Sequence, residues 1–304
     1  MTDIPTQQAD IRRLARERDA VILAHNYQRG EVQDVADFVG DSLGLSRTAA
    51  ATDAKVIVFA GVHFMAETAK ILAPDKTVVL PEYRAGCPMA DMITPDELQE
   101  WKDRYPGVPV VTYVNSSADV KALSDVCVTS ANAVDVVRGL GAERIIFTPD
   151  RNLAAWISGR LPDVEIIAWH GFCPTHDRVT PAMITAASSE HPDAEIITHP
   201  ECRPEVNALA DAVLSTSQML RYAADSDADE FVVVTEEGLV HGLKKAAPGK
   251  RFFLPDPPMV CPNMKLTTLA SVRRALETLE TQIEVPEDVR LRAVAAVERM
   301  VAVG

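Results

Sequence analysis

CPMADMIT, at residues 87–94, sets a cysteine directly before a proline and a threonine seven places on. The same frame returns as CPTHDRVT at 173–180 and as CPNMKLTT at 261–268. The three cysteines lie 86 and 88 residues apart. Proline is 20 of the 304 residues, so three given cysteines would all precede proline about 3 times in 10,000 by composition alone. Upstream positions keep the same step. His25 and Tyr27 map onto Tyr113 and Asn115 after 88 residues, and onto His199 and Glu201 after 86 more. Ser42 lands in the same way on Ser130 and Thr216. One unit of about 87 residues therefore occurs three times.

The unit has a recognisable interior. Short β-branched runs such as AVILAHNYQ, KVIVFAG, VPVVTYVNSS, RIIFTPD, AEIITHPE and EFVVVTEE recur along the chain. Amphipathic stretches separate them, EVQDVADFVGDSLGLSRTAAA (31–51) among them. Continuous apolar strands alternating with helices predict parallel sheets covered on both faces. The expected fold is α/β, with three homologous units about a pseudo-threefold axis. Their expected bounds are 1–104, 105–190 and 191–304, each carrying one of Cys87, Cys173 and Cys261, with the C-terminal helices attached to the last.

This arrangement makes a site. Ligands of open parallel sheets sit beyond the carboxyl ends of the strands. The pairs His25/Tyr27, Tyr113/Asn115 and His199/Glu201 each follow an apolar strand core, and alternation puts both members of a pair on one side. A threefold arrangement aims all six groups, and the three cysteines, at one central space. Proline after each cysteine fixes φ and keeps the cysteine out of a helix. Thr94, Thr180 and Thr268 are expected N-caps, and TPDEL (94–98) carries Pro at the first helical position and Glu at the third. Three thiolates holding a metal leave one coordination position free, the logic of a catalytic rather than a structural centre.

Totals narrow the class. A formal charge of −14 argues against general binding of nucleic acid or anionic lipid. No apolar run reaches membrane-spanning length, and MTDIPTQQADIRRLARERDA lacks the apolar centre of a signal peptide, so a cytoplasmic protein is expected. Five cysteines in a chain of this size read as buried thiols or ligands rather than disulfide staples. Cys127 and Cys202 are read as buried apolar thiols. His63 and His241 are read as capping or core residues, and His191 as a solvated turn. His176 either orients substrate or caps its loop. Lys244, Lys245 and Lys250 are read as solvated surface, with a phosphate-facing role as the alternative.

Long stretches of the chain resemble the quinolinate synthases of the NadA family. They include ILAHNYQ, DVADFVGDSLGLSR, FAGVHFMAETAKIL, AGCPMADM, VVTYVNSSADVKALSDVCVTSANA, WHGFCPTHDRVT, HPECRPEV, STSQML and CPNMKLTTLASVRRALE. The resemblance implies a [4Fe–4S] cluster on Cys87, Cys173 and Cys261, with the fourth iron open. It implies a transferase of NAD biosynthesis that condenses iminosuccinate with dihydroxyacetone phosphate, and a functional link to an aspartate-oxidising enzyme. It places His25, Ser42, Tyr113, Asn115, Ser130, His199, Glu201 and Thr216 at substrate-binding positions, and Tyr27, His199 and Glu201 in acid–base work. Some relatives add a CxxC near the last ligand, whereas PPMVCPNMK here has none. From the residues alone, a zinc enzyme, a dehydrating hydro-lyase and a non-catalytic iron–sulfur sensor stay open. The paired strand-end polar groups favour catalysis over sensing.

Overall fold

A computed structural model describes residues 3–303 of the chain. Its strands are β1 Ala20–His25, β2 Phe38–Gly40, β3 Val56–Ala60 and β4 Thr77–Val79 in the first unit. The second unit holds β5 Val110–Tyr113, β6 Val126–Val128, β7 Arg144–Thr148 and β8 Glu165–Ala168. In the third are β9 Glu195–Thr198, β10 Ala212–Val213, β11 Glu230–Val234 and β12 Arg251–Phe253. They form three four-stranded sheets with one order repeated, β2-β1-β3-β4, β6-β5-β7-β8 and β10-β9-β11-β12. Every ladder is parallel. The fold is the expected α/β triplicate.

The repeat extends to single hydrogen bonds. At the start of each first strand a backbone N–H lies where no ladder partner reaches it. Asp37 accepts from Ile22, Asp125 from Val110 and Asp211 from Ile196, each at 2.7 Å and each across 15 residues. The same aspartate thus satisfies the same strand-start N–H in all three units, so it is part of the unit's design. The central strand VIVFA (56–60) is buried at every position, as a strand covered on both faces must be.

One element departs from the sequence reading. The stretch 31–51 is not one amphipathic run: a helical turn at Gly30–Gln33 leads into β2 and then into helix Ser42–Ala51. β2 is a three-residue edge strand whose Phe38 and Val39 are exposed, so burial leaves no alternation to read. The repeat step would have found it, because DVCV at 125–128 lies 88 residues beyond DFVG at 37–40.

The three threonines cap helices as expected. Thr94 Oγ1 accepts the Glu97 N–H, Thr180 that of Met183 and Thr268 that of Ser271. Helices Pro95–Arg104 and Leu269–Thr278 carry full capping boxes. Each such cap is worth about 1 kcal/mol. These helices do not fold back on the sheet they follow. Leu98 packs with Val110, Val120 and Ile146 of the second sheet and its flank. Ile184 and Ala187 pack with Val206, Val232 and Val234 of the third. Val272, Ala275 and Leu276 pack with Ile22, Val56 and Val58 of the first. The helix behind each Cys-Pro thus covers the next sheet, and the last one closes the ring on the first. The final helix, Glu287–Ala302, buries Val289, Ala293, Val297 and Met300 against β6 and helix His63–Leu72. No helix among the described residues is long and apolar enough to cross a membrane.

Candidate active site

Interlocking of the units leaves one central cavity of about 180 Å³. It lies where the carboxyl ends of the inner strands and the following helix starts meet, the expected ligand position of parallel sheets. His25 ends β1 and Tyr113 ends β5, while His199 directly follows β9. Ser42 and Thr216 are the first residues of their helices, and Ser130 stands in the turn before helix Ala133–Leu140. Cys173 caps the short helix Pro174–Asp177, whereas Cys87 and Cys261 lie on loops. All of these residues border the cavity, as do Tyr27, Asn115 and Glu201.

Its walls contain no lysine or arginine among the described lining residues. Burial sets the protonation of the imidazoles. His25 is pulled down to about 4 and His199 to about 3, both chiefly because burial disfavours the imidazolium. Each ring uses Nδ1 to accept the N–H two residues on, Tyr27 at 3.1 Å and Glu201 at 3.3 Å. The proton of the neutral ring therefore sits on Nε2. Glu201 behaves differently. Burial opposes its carboxylate, but the His176 ring beside it and the Tyr113 hydroxyl outweigh that and hold the group below the usual carboxylate range.

A continuous hydrogen-bonded chain links Glu201 to Tyr27. Glu201 Oε2 is 2.7 Å from His176 Nδ1. His176 Nε2 is 2.9 Å from Thr235 Oγ1, and that hydroxyl is 2.6 Å from the Tyr27 hydroxyl. The second Glu201 oxygen accepts from the Tyr113 hydroxyl at 2.8 Å. His176 thus borders the cavity, and its Nδ1 also lies 3.2 Å from Cys173 Sγ within its own loop. Thr235 escaped the sequence reading because it sits inside a strand-end run (VTEE) with no chemistry of its own; only the contact gives it a role.

The three Cys-Pro cysteines share one electrostatic setting. Burial pushes the Cys87 thiol up to about 12, with the Cys261 sulfur adding to it and the Ala90 and Met89 N–H groups opposing. Cys173 and Cys261 are also raised, first by burial. Backbone N–H groups of His176, Met264 and Asn263 point at those two sulfurs. Thiols that burial keeps protonated, yet that already hold N–H donors aimed at sulfur, will give up their protons to a metal and not to water. Asn115 Oδ1 is buried beside the cavity without a protein partner, an acceptor left for a ligand.

A latch holds the Tyr27 turn against the third unit. Lys265 Nζ donates to the Tyr27 carbonyl at 2.8 Å and pairs with Glu236 at 2.9 Å. Glu236 also accepts from the Cys261 N–H at 3.0 Å and the Gly238 N–H at 2.7 Å. Gly238 abuts Tyr27 so closely that a methyl there would sit 2.7 Å from the Tyr27 carbonyl carbon and oxygen. Backbone faces that methyl, so the turn must shift. Gly238→Ala is expected to lower kcat roughly 100-fold through a misplaced Tyr27, with a stability loss of about 1–3 kcal/mol. Steady-state rates and thermal melting check this; a variant turning over at the wild-type rate contradicts it.

Other residues resolve differently from their sequence readings. His191 is half-buried and stacks on Phe253 with ring centroids 3.5 Å apart, so it is no solvated turn residue. His241 and Lys245 both pair with Asp34 across the first and third units. Lys250 donates to the Ser226 carbonyl and lies over the Phe231 ring. None of these cations borders the cavity. Cys127 and Cys202 are fully buried, and all five cysteines are free thiols.

Comparison with known proteins converges on one family. Residues 9–302 match the family model NadA, described as Quinolinate synthetase A protein. The quinolinate synthase of Thermodesulfovibrio yellowstonii is 56% identical over 291 residues, 96% of either chain. That of Geotalea uraniireducens is 55% identical over 294 residues, 97% of this chain and 96% of its own. A third, from Desulforudis audaxviator, is 56% identical over 295 residues, 97% of each.

Proposed function

Since the chain belongs to the NadA family of quinolinate synthetases, we propose that it condenses iminosuccinate with dihydroxyacetone phosphate to give quinolinate, phosphate and two waters. The balance is complete without an oxidant. One carbon–carbon and one carbon–nitrogen bond form, phosphate leaves one carbon, and two oxygens depart as water. The observation that carries this reading is that three strand-end pairs and three thiols, one of each from every unit, border a single cavity.

Cys87, Cys173 and Cys261 would hold a [4Fe–4S] cluster, which when bound supplies an open iron as a Lewis acid toward a hydroxyl or carbonyl oxygen. The remaining work belongs to side chains. Both substrates are anions, and the walls offer neutral donors in place of cations. The Nε2–H groups of His25 and His199 and the hydroxyls of Ser42, Ser130 and Thr216 bind carboxylate or phosphate oxygens. Backbone N–H groups at the starts of helices Ser42–Ala51 and Thr216–Asp225 add to them. Asn26 Nδ2 donates to Thr216 Oγ1 at 2.9 Å and so turns that hydroxyl's proton toward the cavity.

Carbon–carbon bond formation needs the enamine tautomer of iminosuccinate, made by removing a proton from the carbon beside the imine. Glu201, ionised in the resting site, takes that proton. His176 and Thr235 pass it along the hydrogen-bonded chain to and from the Tyr27 hydroxyl, which serves a leaving oxygen. Supply of the imine requires an aspartate-oxidising reaction upstream.

Thr235→Val tests the chain. It removes the only hydroxyl between Tyr27 and His176 in this path. The expected result is a kcat reduced roughly 100-fold, the low end of general acid–base contributions, at unchanged KM and iron content. Thr235→Ser should restore most of the rate. Wild-type kcat in the valine variant would remove Thr235 from the path. The reaction itself is tested by anaerobic assay for quinolinate, with each substrate omitted in turn and iron and sulfide measured on the same sample. Full turnover by iron-free protein would overturn the cluster's part in it.

A further inference from the structure

Three side chains in the cavity already have the makings of a different metal site. Cys173 Sγ, His176 Nδ1 and a Glu201 carboxylate oxygen all lie within 4.8 Å of one another. His176 Nδ1 is 3.2 Å from the sulfur and 2.7 Å from the carboxylate. His176 and Glu201 are 1% and 3% exposed. Two of the three side chains have outer partners in place. Thr235 Oγ1 engages His176 Nε2 at 2.9 Å, leaving Nδ1 to act as a ligand, and the Tyr113 hydroxyl holds the other Glu201 oxygen at 2.8 Å. Outer contacts of this kind are what orient ligands around a bound ion. Because all three residues border the cavity, a fourth ligand can enter from it.

From this geometry we propose that the cluster-free chain binds one zinc ion at Cys173, His176 and Glu201, and that this ion competes with cluster assembly for Cys173. The competition, though not the zinc binding, rests on the cluster reading above. One thiolate, one imidazole and one carboxylate form a mixed soft and borderline set that suits zinc and not the all-oxygen ions magnesium or calcium. Zinc also stands above ferrous iron in divalent affinity at such sites. Binding releases the Cys173 proton, so the thiol becomes the ligand thiolate and one proton passes to solvent. The bound ion would occupy the proposed base Glu201 and its partner His176 together. A zinc-loaded chain is therefore both slowed in taking up its cluster and without its acid–base groups.

The test uses the full chain stripped of metal with a chelator. Zinc is titrated against a chromophoric chelator, and cobalt(II) serves as the optical probe of thiolate and four-coordinate ligation. Expected are one tight equivalent of zinc and a thiolate-to-cobalt charge-transfer band. Cys173→Ala should abolish the band. His176→Ala and Glu201→Gln should each weaken zinc by more than about 100-fold, beyond the loss typical of an outer partner. Cys87→Ala and Cys261→Ala should leave zinc affinity within about threefold of wild type, with thermal melting confirming that every variant is folded. Binding that survives in the His176 and Glu201 variants but fails in those of Cys87 or Cys261 would put the ion on the thiols alone and overturn the site. Absence of a stoichiometric equivalent would do so as well. Zinc-loaded wild type should then incorporate iron and sulfide more slowly than metal-free protein, and uptake at the same rate overturns the competition. If metal-free wild type takes up no iron and sulfide, the cluster reading fails while the zinc site stands on its own titration.

Discussion

Glu201→Gln is expected to stop quinolinate formation while leaving iron and acid-labile sulfide at wild-type levels. The substitution keeps size and one carbonyl oxygen, so the Tyr113 hydroxyl, 2.8 Å from Oε1, retains an acceptor. What changes is the second oxygen, which faces His176 Nδ1 at 2.7 Å. An amide cannot take a proton at neutral pH and cannot start the chain toward Tyr27. Loss of a positioned acid–base group costs about 100- to 10,000-fold, and the upper part of that range applies because no other carboxylate contacts His176 among the described residues. Single-turnover assay under anaerobic conditions reads the effect, with iron analysis on the same sample. A rate within a few-fold of wild type would assign proton removal elsewhere.

Cys87→Ala should abolish both the cluster and the activity. A Lewis acid contributes several kcal/mol to such a reaction, so the loss should exceed about 1,000-fold. Gross unfolding is not expected, since the loop is held independently of the sulfur. Asn263 Nδ2 donates to the Gly86 carbonyl at 2.8 Å, and Asp91 N–H donates to the Cys87 carbonyl at 3.2 Å. Cys127→Ala is the control. That thiol is buried in β6, away from the cavity, and its loss should cost only packing, about 1 kcal/mol or less. Visible absorption, iron content and melting temperature of the two variants together decide the matter. A Cys87→Ala protein with full iron content and full turnover would falsify the three-cysteine ligand set.

Much of this was legible in the chain before any coordinates. Thr94, Thr180 and Thr268 announced their helices because capping is a local hydrogen bond between residues three apart. Strands such as VIVFA and EFVVV were visible because burial on both faces demands an uninterrupted apolar run. Edge strand β2 was not, since an exposed strand makes no such demand. His191 was misread for a related reason: its stacking partner, Phe253, is far along the chain.

The threefold repeat, the parallel α/β class and the polar residues that end the strands are all legible in the chain, because periodicity and local bonding are written into neighbouring residues. Long-range packing, by contrast, sets each Cys-Pro helix over the following sheet and brings Glu201, His176, Thr235 and Tyr27 into one hydrogen-bonded chain. Those contacts join elements from different units. Their distances follow from how three sheets pack against one another, and packing between distant surfaces leaves no period in the chain to read.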